Sequence, residues 1–376
     1  MEEGAVVFGA LAISASFAAA SLGAQQPNEI VLPPAERTLD AEFSNIRAIR
    51  ELPDGRVLIT DAGDNRLVVA NFEAGTLRSI GRTGAGPGEV RHFGRLYALG
   101  GDSTLLTDEP DGRRWLVLAG DSIVRTLPPD DPLIRASSGA PRGTDRRGNI
   151  VLTRNARQVR IDQRNGFRLL DSAFALLVDR RTLRTDTLAR LLHTDQRVQA
   201  VGPRERPSYI FRQAYLSAVE QVAIAPDGWV AIATHRPYRV TWRTPEGRTL
   251  RGPELPWPEI RVDVRERRAH AARTERITGY PLRAVEEENW AAFVPPFGGA
   301  FAALHAPGGQ LLLRKVPWSG AEGTRYDVID RSGAIVGGMQ LPERSWLVGF
   351  GERHVYVATR DDDGIQRLSR HRWTLR

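Results

Sequence analysis

One short pattern recurs six times along this chain of 376 residues and limits its possible folds more than any other feature. Each copy has an apolar run, a turn centred on glycine, and alternating apolar residues that end in threonine or a charged residue. The copies read IRELPDGRVLITDAG, LYALGGDSTLLTDEP, TDRRGNIVLTRN, VAIAPDGWVAIATHR, LHAPGGQLLLRKV and GFGERHVYVATRD, with turn glycines Gly55, Gly101, Gly148, Gly228, Gly308 and Gly351. Apolar alternation beside a glycine turn predicts an antiparallel hairpin.

A second hairpin usually follows each copy, such as RLVVANFEAGTLRSI after the first and YDVIDRSGAIVGGM after the fifth. Two hairpins make four antiparallel strands, and six such units predict an all-β fold, the six-bladed β-propeller. The last unit lacks an obvious fourth strand. We expect the early segment EIVLPPAERTL to supply it, because a propeller that pairs its two ends leaves no exposed sheet edge at the closure.

Two insertions explain the two longest intervals between turn glycines. They cover about residues 190–217 and 258–296, and the second is rich in charge and predicts helix on either side of Pro281. A helical insertion is therefore expected between blades 4 and 5. Residues 25–376 are expected to form a single propeller domain.

The glycine-rich stretch GRTGAGPGEVRHFG, residues 81–94, is either a phosphate-binding loop or a structural turn. A dinucleotide-binding loop needs a third glycine where Glu89 stands, and a P-loop needs a lysine that is absent here. Predicted strands flank the stretch, which favours a turn between blades.

Part of this stretch resembles a known repeat. GAGPGEVRHFGRLYALGGDSTLLTD is similar to the NHL-type propeller repeat, with Val90 where that repeat prefers phenylalanine. The C-terminal YDVIDRSGAIVGGMQLP and VYVATRDDDGIQRLSRHRW resemble secreted bacterial six-bladed propellers of unassigned function.

The N-terminus predicts an export signal. Residues 5–24, AVVFGALAISASFAAASLGA, are apolar or small and precede the polar QQPNE, although the MEEG before them is acidic where a signal peptide is usually basic. The run is too weakly hydrophobic for a typical membrane span. We expect residues 1–24 to be a signal peptide and the protein to be secreted or periplasmic in a bacterial cell envelope; a retained anchor is the alternative.

Charge and cysteine content limit the chemistry. The net charge of +7 is compatible with a nucleic-acid partner, but Lys315 is the only lysine among 52 basic residues, so the excess reflects arginine usage. No basic run carries the interleaved aromatic residues of a single-strand-binding surface, and we expect no nucleic-acid partner. Because cysteine is absent, the chain has no disulfide, thiolate metal site or thiol nucleophile.

Propeller topology assigns the ends of the second strands to one face, together with the connections between blades and both insertions. We call it the loop-rich face. The predicted strand ends are acidic in units one and two, at Asp61 and Asp108, and basic in the others. The basic residues are Arg154, His235, Arg314 and Arg360. We expect these four to bind an anionic ligand, because guanidinium groups match carboxylates. The alternative is that they form ion pairs with the two aspartates and with one another.

An enzyme is the second interpretation. Propeller lactonases of the gluconolactonase type hold a divalent metal through Glu, Asn and Asp, and NHL-type amidating lyases hold zinc through three histidines. Neither set can be carried over residue by residue. His305 and His354 flank turns on the face opposite to His235, so these three cannot share a metal. The best set near the starts of inner strands is Asn45, His92 and Glu220.

These observations predict a monomer that binds a protein, a peptide or a small anionic ligand outside the cytoplasm, with no cofactor and no assigned metal ligand. A metal-dependent hydrolase or lyase and a structural part of the cell envelope are the alternatives, since propellers host all three. Six tryptophans are expected to pack between blades rather than to form a carbohydrate platform: Trp229, Trp242, Trp257, Trp290, Trp318 and Trp346.

Overall fold

A computed structural model gives the architecture of the chain. It describes residues 28–84, 89–108, 114–154, 160–162, 166–168, 172–192, 196–201, 208–279, 281–282, 289–299 and 302–375. The predicted signal peptide lies outside the described residues. The predicted six-bladed β-propeller is confirmed: six sheets follow one another along the chain, each with four antiparallel strands, and one of the sheets has a fifth strand that pairs in parallel.

The strands are numbered in chain order, and β1 (Glu29–Ile30) and β2 (Ala35–Thr38) precede the first blade. Blade 1 is β3 (Ile46–Glu51), β4 (Val57–Asp61), β5 (Arg66–Asn71) and β6 (Thr76–Ile80). The short β7 (Arg82–Thr83) and β8 (Glu89–Val90) lead to blade 2, which is β9 (Phe93–Ala98), β10 (Ser103–Asp108), β11 (Arg114–Ala119) and β12 (Ser122–Leu127). Blade 3 follows the short helix α1 (Pro132–Ala136) and is β13 (Ala140–Thr144), β14 (Ile150–Arg154), β17 (Ser172–Val178) and β18 (Thr185–Leu192).

Two hairpins are added around blade 3, formed by β15 (Arg160–Asp162) with β16 (Gly166–Arg168) and by β19 (Gln196–Val201) with β20 (Ser208–Gln213). Blade 4 is β21 (Gln221–Ile224), β22 (Val230–His235), β23 (Tyr238–Arg243) and β24 (Thr249–Arg251). Helix α2 (Val264–Thr278) leads to blade 5, which is β25 (Ala303–His305), β26 (Leu311–Arg314), β27 (Thr324–Ile329) and β28 (Ile335–Leu341). Blade 6 is β29 (Ser345–Phe350), β30 (His354–Arg360) and β31 (Gln366–Arg372).

The N-terminal segment closes the ring as predicted. Strand β2 pairs antiparallel with β31 and becomes the fourth strand of blade 6. A feature that the sequence did not predict is β1, which pairs in parallel with β28 and adds a fifth strand to blade 5. The N-terminal segment therefore joins the last two blades.

The hydrophobic core lies between the blades rather than inside a separate layer. Along β4, Val57 and Ile59 pack in the cluster shared with blade 6, whereas Leu58 packs in the cluster shared with blade 2. This alternation follows from the period of two in a strand, and both faces are apolar because each blade is covered on both sides. Hydrophobic clusters of described residues occupy the six junctions between neighbouring blades.

The second insertion is helical only in its first part. In α2 the Asp263 side chain accepts from Glu266 N–H, and Gly279 ends the helix with a φ of 75°. Beyond Pro281, residues 289–299 form no helix, and 283–288 lie outside the described residues. The predicted helix before Pro281 is confirmed. Among the described residues, no helix has the length and apolar character needed to cross a bilayer.

The glycine-rich stretch lies between blades 1 and 2, as predicted. Strands β7 and β8 pair in parallel on its two sides, and β9 follows directly. A dinucleotide-binding loop would open a helix at this position. Residues 85–88 of the glycine-rich stretch lie outside the described residues.

One buried glutamine joins the first and last blades. Gln366 Oε1 accepts from Ile46 N–H at 2.8 Å, and its Nε2 donates to the Ser44 carbonyl oxygen at 3.2 Å. Gln366→Leu leaves the buried Ile46 N–H without its partner and removes the bond to the Ser44 carbonyl oxygen, and we expect it to lower the free energy of unfolding by about 2 kcal/mol in urea denaturation. The exposed Gln340→Leu is the control, expected within about 0.5 kcal/mol of the parent. Equal losses in both variants would show that this contact does not stabilise the closure.

Candidate functional site

The second strand of each blade ends at the loop-rich face at the residue that the sequence predicted. These end residues are Asp61, Asp108, Arg154, His235, Arg314 and Arg360. The same face receives the connections between blades, because the first strand of a four-stranded antiparallel blade starts where the second one ends. The structure thus confirms that these six residues share a face. Their contacts, described below, show which of them lie close to one another.

The threonine that precedes several of these strand ends has a structural role. Thr107 Oγ1 accepts from Arg95 N–H at 2.9 Å, and Thr153 Oγ1 accepts from Arg142 Nε at 2.9 Å. Both contacts lie at β-bulges in the innermost strands, where the ladder between first and second strands shifts its register. The Thr107 hydroxyl thus pairs a backbone N–H at the point where the ladder is interrupted, and the Thr153 hydroxyl pairs the side chain of the residue in the bulge.

Two of the four predicted ligand-binding residues contact backbone carbonyl groups. Arg154 Nε donates to the Ser138 carbonyl oxygen at 3.0 Å. Arg360 Nη1 donates to the Ile277 carbonyl oxygen at 3.0 Å, and its guanidinium lies 6.0 Å from the Trp346 ring centroid. Arg360 therefore holds the C-terminal end of α2 against blade 6. Ligand binding by Arg154 and Arg360 stays a prediction.

The other two, His235 and Arg314, lie on neighbouring blades at the same face. Segment 295–299 runs from the wall of a cleft beside His235 to the Arg314 guanidinium. Gly299 has a φ of 91°, and a Cβ there would overlap that guanidinium, so glycine permits both the backbone turn and the close approach. Within the described part of the chain, Arg314 forms no ion pair. Asp61, one of the two aspartates considered as partners of the basic strand ends, forms an ion pair with Arg66 of its own blade.

A cleft of about 450 Å³ lies at this face between blade 4 and the second insertion. Blade 4 contributes His235, Arg236 and Pro237 from the turn between its second and third strands. Trp257 and the segment 292–296 form the other wall. The sequence predicted that insertions at this face could form a pocket. It gave no indication of the prolines and aromatic rings that line it.

A buried ionisable pair lies at the blade 4 side of the cleft. His235 Nδ1 is 3.9 Å from Glu220 Oε1, and the two side chains are 6% and 4% exposed. Glu220 Oε2 accepts from Leu192 N–H at 2.7 Å. Burial raises the pKa of Glu220, because the charged carboxylate is poorly solvated there, although the bond from Leu192 opposes this. The Glu220 carboxyl therefore keeps its proton to a higher pH than an exposed glutamate does.

The rim of the cleft carries two acidic residues with arginine neighbours. Arg236 Nη2 is 3.9 Å from Glu259 Oε1, and Arg239 Nη2 is 3.8 Å from Glu254 Oε2. The Arg236 guanidinium also lies 4.9 Å from the Phe293 ring centroid. At these distances, and with both glutamates exposed, the two ion pairs contribute little to stability.

The only lysine supports the wall formed by Trp257. Lys315 Nζ lies 4.8 Å from the Trp257 ring centroid and donates to both oxygens of Asp327, at 3.0 and 3.1 Å. Tyr238 O–H donates to Asp327 Oδ2 at 2.7 Å, and burial raises the pKa of Tyr238 well above its usual value. Trp257 also packs edge-on against Trp318, with ring centroids 5.4 Å apart. This network fixes the aromatic wall to blade 5.

The candidate metal ligands do not form a cluster. Over the described ranges, no group of three or more His, Asp or Glu residues is placed to hold a metal ion. Asn45 N–H donates to the Asp61 carboxylate in blade 1, whereas Glu220 lies in the pair with His235 in blade 4. His305 ends β25 and His354 begins β30, so both lie at the face opposite to His235, as predicted.

Comparisons with known proteins return distant similarities. No protein-family model and no curated protein matches the chain. A solved Bacteroides fragilis protein, named as exported, is 11% identical; 93% of this chain and 95% of that chain are covered, with a TM-score of 0.47. Regucalcin, a calcium-binding protein of Agrobacterium tumefaciens, is 10% identical, with 93% and 97% covered and a TM-score of 0.39. Virginiamycin B lyase of Staphylococcus aureus is 8% identical, with 90% and 98% covered and a TM-score of 0.41.

These similarities carry no argument about the function of this chain, because identities and TM-scores are low. The resemblance to NHL-type repeats stays a prediction. The candidate site therefore rests on the cleft and its contacts alone.

Proposed function

We propose that this protein is an exported binding protein that takes a small ligand with an apolar body and a carboxylate group into the cleft beside His235. The observation that carries the proposal is the cleft itself, a concave space of about 450 Å³ at the loop-rich face. Small-molecule sites are typically concave and apolar, with a few polar groups that orient the ligand.

The lining supports a ligand with an apolar body. Trp257, Phe293 and the prolines of the 292–296 segment present rings and apolar surface with few rotatable bonds. Such side chains lose little conformational entropy when a ligand packs against them. The free energy gained from burying apolar surface is therefore offset less than it would be by flexible side chains. The network of Lys315 and Asp327 behind Trp257 keeps this wall in place before a ligand arrives.

The charges favour a carboxylate over an amine. Each rim glutamate has an arginine within 4.0 Å, so the acidic charge of the rim is largely compensated. Because burial raises the pKa of Glu220, that carboxyl is less disposed to attract a cation. His235 and Arg236 then provide the donors nearest to a bound ligand, and Arg314 supplies a further cation beside Gly299.

Three probes of similar shape test this assignment: benzoate, benzyl alcohol and benzylamine. Isothermal titration of the full chain should show the strongest binding for benzoate and the weakest for benzylamine. His235→Gln and Arg236→Gln should each raise the Kd for benzoate about tenfold, because the first removes the imidazole from the wall of the cleft and the second removes a guanidinium that can form a charge-assisted hydrogen bond. Arg251→Gln, at an exposed position of β24, is the matched control and should leave the Kd unchanged.

Two results would reject the proposal. One is the absence of binding for all three probes, and the other is benzoate binding that is equally strong in the parent and in both cleft variants. A preference for benzylamine would keep the cleft as a binding site but overturn the carboxylate class.

A further inference from the structure

A second cleft lies between helix α2 and the outer strands of blade 5. It measures about 700 Å³, which is within the range of small-molecule sites, and it shares no described lining residue with the cleft beside His235. Helix α2 forms one wall, and the segment 321–323 before β27 and the end of β28 form the other. Strand β1 contributes Glu29. We call this space the α2 cleft.

Polar contacts hold α2 beside this cleft. Near the start of the helix, Ser319 N–H donates to Glu266 Oε2 at 2.8 Å. Near its end, Arg276 Nη2 lies 2.9 Å from Glu343 Oε1, which belongs to the connection between blades 5 and 6. The helix is therefore fixed to the propeller on both sides of the residues that face the cleft, and the α2 wall is in place before a ligand arrives.

Arg273 is a cation of the α2 cleft that has no carboxylate partner. Its Nη2 donates to the Ala321 carbonyl oxygen at 2.5 Å, and it forms no ion pair with any residue that the structure describes. The side chain is half-buried, and this burial lowers the pKa of Arg273, because the cation is poorly solvated. A guanidinium has five N–H donors, so Arg273 can bind a carboxylate without losing its bond to Ala321.

Two carboxylates of the same cleft also lack a partner. The side chains of Glu29 and Glu322 are exposed, and neither forms a hydrogen bond or an ion pair with another described residue. The third acidic residue of the lining, Glu343, differs, because the bond from Arg276 holds its pKa below the usual value. One cation and two carboxylates of the cleft are thus left for a ligand.

We propose that the α2 cleft binds a short peptide with free ends, its carboxylate at Arg273 and its protonated amine at Glu29 or Glu322. A ligand with only a carboxylate would be repelled by the two glutamates, and one with only an amine would be repelled by Arg273. Gln340 Oε1 accepts from Arg325 Nε at 3.1 Å, so the Gln340 amide N–H groups can donate to a peptide carbonyl. The site goes beyond the proposed function, since both the cleft and the ligand class differ.

Trialanine is the probe, and two blocked forms of it test the need for both charges. At about pH 6.5 its amine is protonated and its carboxyl is ionised. Isothermal titration of the full chain should show the strongest binding for trialanine with both ends free. Acetylation of the amine and amidation of the carboxyl should each raise the Kd about tenfold, because each removes a charge-assisted hydrogen bond. Equal or tighter binding of either blocked form would overturn the proposal.

Variants assign each end of the peptide to a wall. Arg273→Gln should raise the Kd about tenfold for trialanine and for its acetylated form, but not for its amide. The double variant Glu29→Gln with Glu322→Gln should do the same for trialanine and for its amide, but not for the acetylated form. Arg265→Gln, at an exposed position of α2 outside the lining, is the matched control and should leave all three values unchanged.

Benzoate separates this site from the cleft beside His235. Saturating benzoate and the variant His235→Gln should both leave the Kd for trialanine unchanged, whether or not benzoate itself binds. Competition between benzoate and trialanine would place the peptide in the other cleft and overturn the proposal. The absence of trialanine binding, or equal binding by the parent and Arg273→Gln, would also overturn it. If Arg273→Gln does not fold, the double variant at the two exposed glutamates gives the same test.

Discussion

Lys315→Met is expected to lower the free energy of unfolding by about 3–5 kcal/mol at neutral pH, since it leaves a buried carboxylate without its cation. The side chains of Lys315 and Asp327 are 17% and 8% exposed, and the ammonium donates to both carboxylate oxygens. The Tyr238 hydroxyl also donates to Asp327. Urea denaturation at pH 7.5 measures the loss.

A double variant tests the reason for this loss. Lys315→Met combined with Asp327→Asn removes both charges and should recover most of the stability, since an unpaired buried charge costs more than a neutral polar group. Lys315→Arg keeps the charge but must fit a larger planar group between Asp327 and Trp257, and we expect an intermediate loss. If the double variant is no more stable than Lys315→Met, packing rather than charge explains the effect.

His305 should make the protein less stable in mild acid. Both ring nitrogens are buried, and this burial lowers the pKa of His305 to about 4 from its usual value of 6.5. The unfolded chain therefore binds a proton more readily than the folded one. The stabilising contribution is complete above about pH 6.5 and decreases as the pH falls toward 4, by about 3 kcal/mol in total.

His305→Phe keeps a ring beside Trp242, whose centroid lies 5.6 Å from that of His305, and removes the titration. The difference in unfolding free energy between pH 7 and pH 4.5 should be about 2–3 kcal/mol smaller in this variant than in the parent. Between pH 7 and pH 9 the two proteins should show the same pH dependence. Parallel curves over the whole range would show that His305 titrates alike in the folded and unfolded states.

The repeated turns made the blades predictable from the sequence, because several of the turn glycines have a local backbone reason. Gly55, Gly148 and Gly228 have φ values of 82°, 82° and 90°, which disfavour other residues. Gly351 has a different reason: a Cβ there would overlap the Glu51 carboxylate of blade 1. The ring closure through β2 was predictable for a related reason, since an incomplete last blade requires a strand from the other end of the chain.

The candidate site was less predictable, because its contacts join residues that are far apart in the chain. The sequence placed His235 at the loop-rich face, and the structure places it at a cleft whose other wall comes from Trp257 and the 292–296 segment. Arg360 was predicted to bind a ligand, yet its described hydrogen bond goes to the end of α2. The recurring threonines were visible in the sequence, but their contacts at the bulges depend on a register shift that spacing does not reveal.

The packing of the tryptophans was also only partly predictable from the sequence. Trp229 and Trp242 pack together between blades 4 and 5, as the sequence predicted. Trp257, Trp290 and Trp318 instead pack in a cluster beneath the second insertion, with Val262 and Val294. An insertion that packs against one buried and two partly buried tryptophans has its own hydrophobic support, which allows it to shape the cleft beside His235.

A crystal structure of the protein grown with benzoate would test the central claim most directly. We expect the benzoate ring against Trp257 and the prolines of the 292–296 segment, with its carboxylate at His235 or Arg236. Benzoate bound only on the opposite face, or an empty cleft at concentrations that saturate binding in solution, would contradict the claim that this cleft is the binding site.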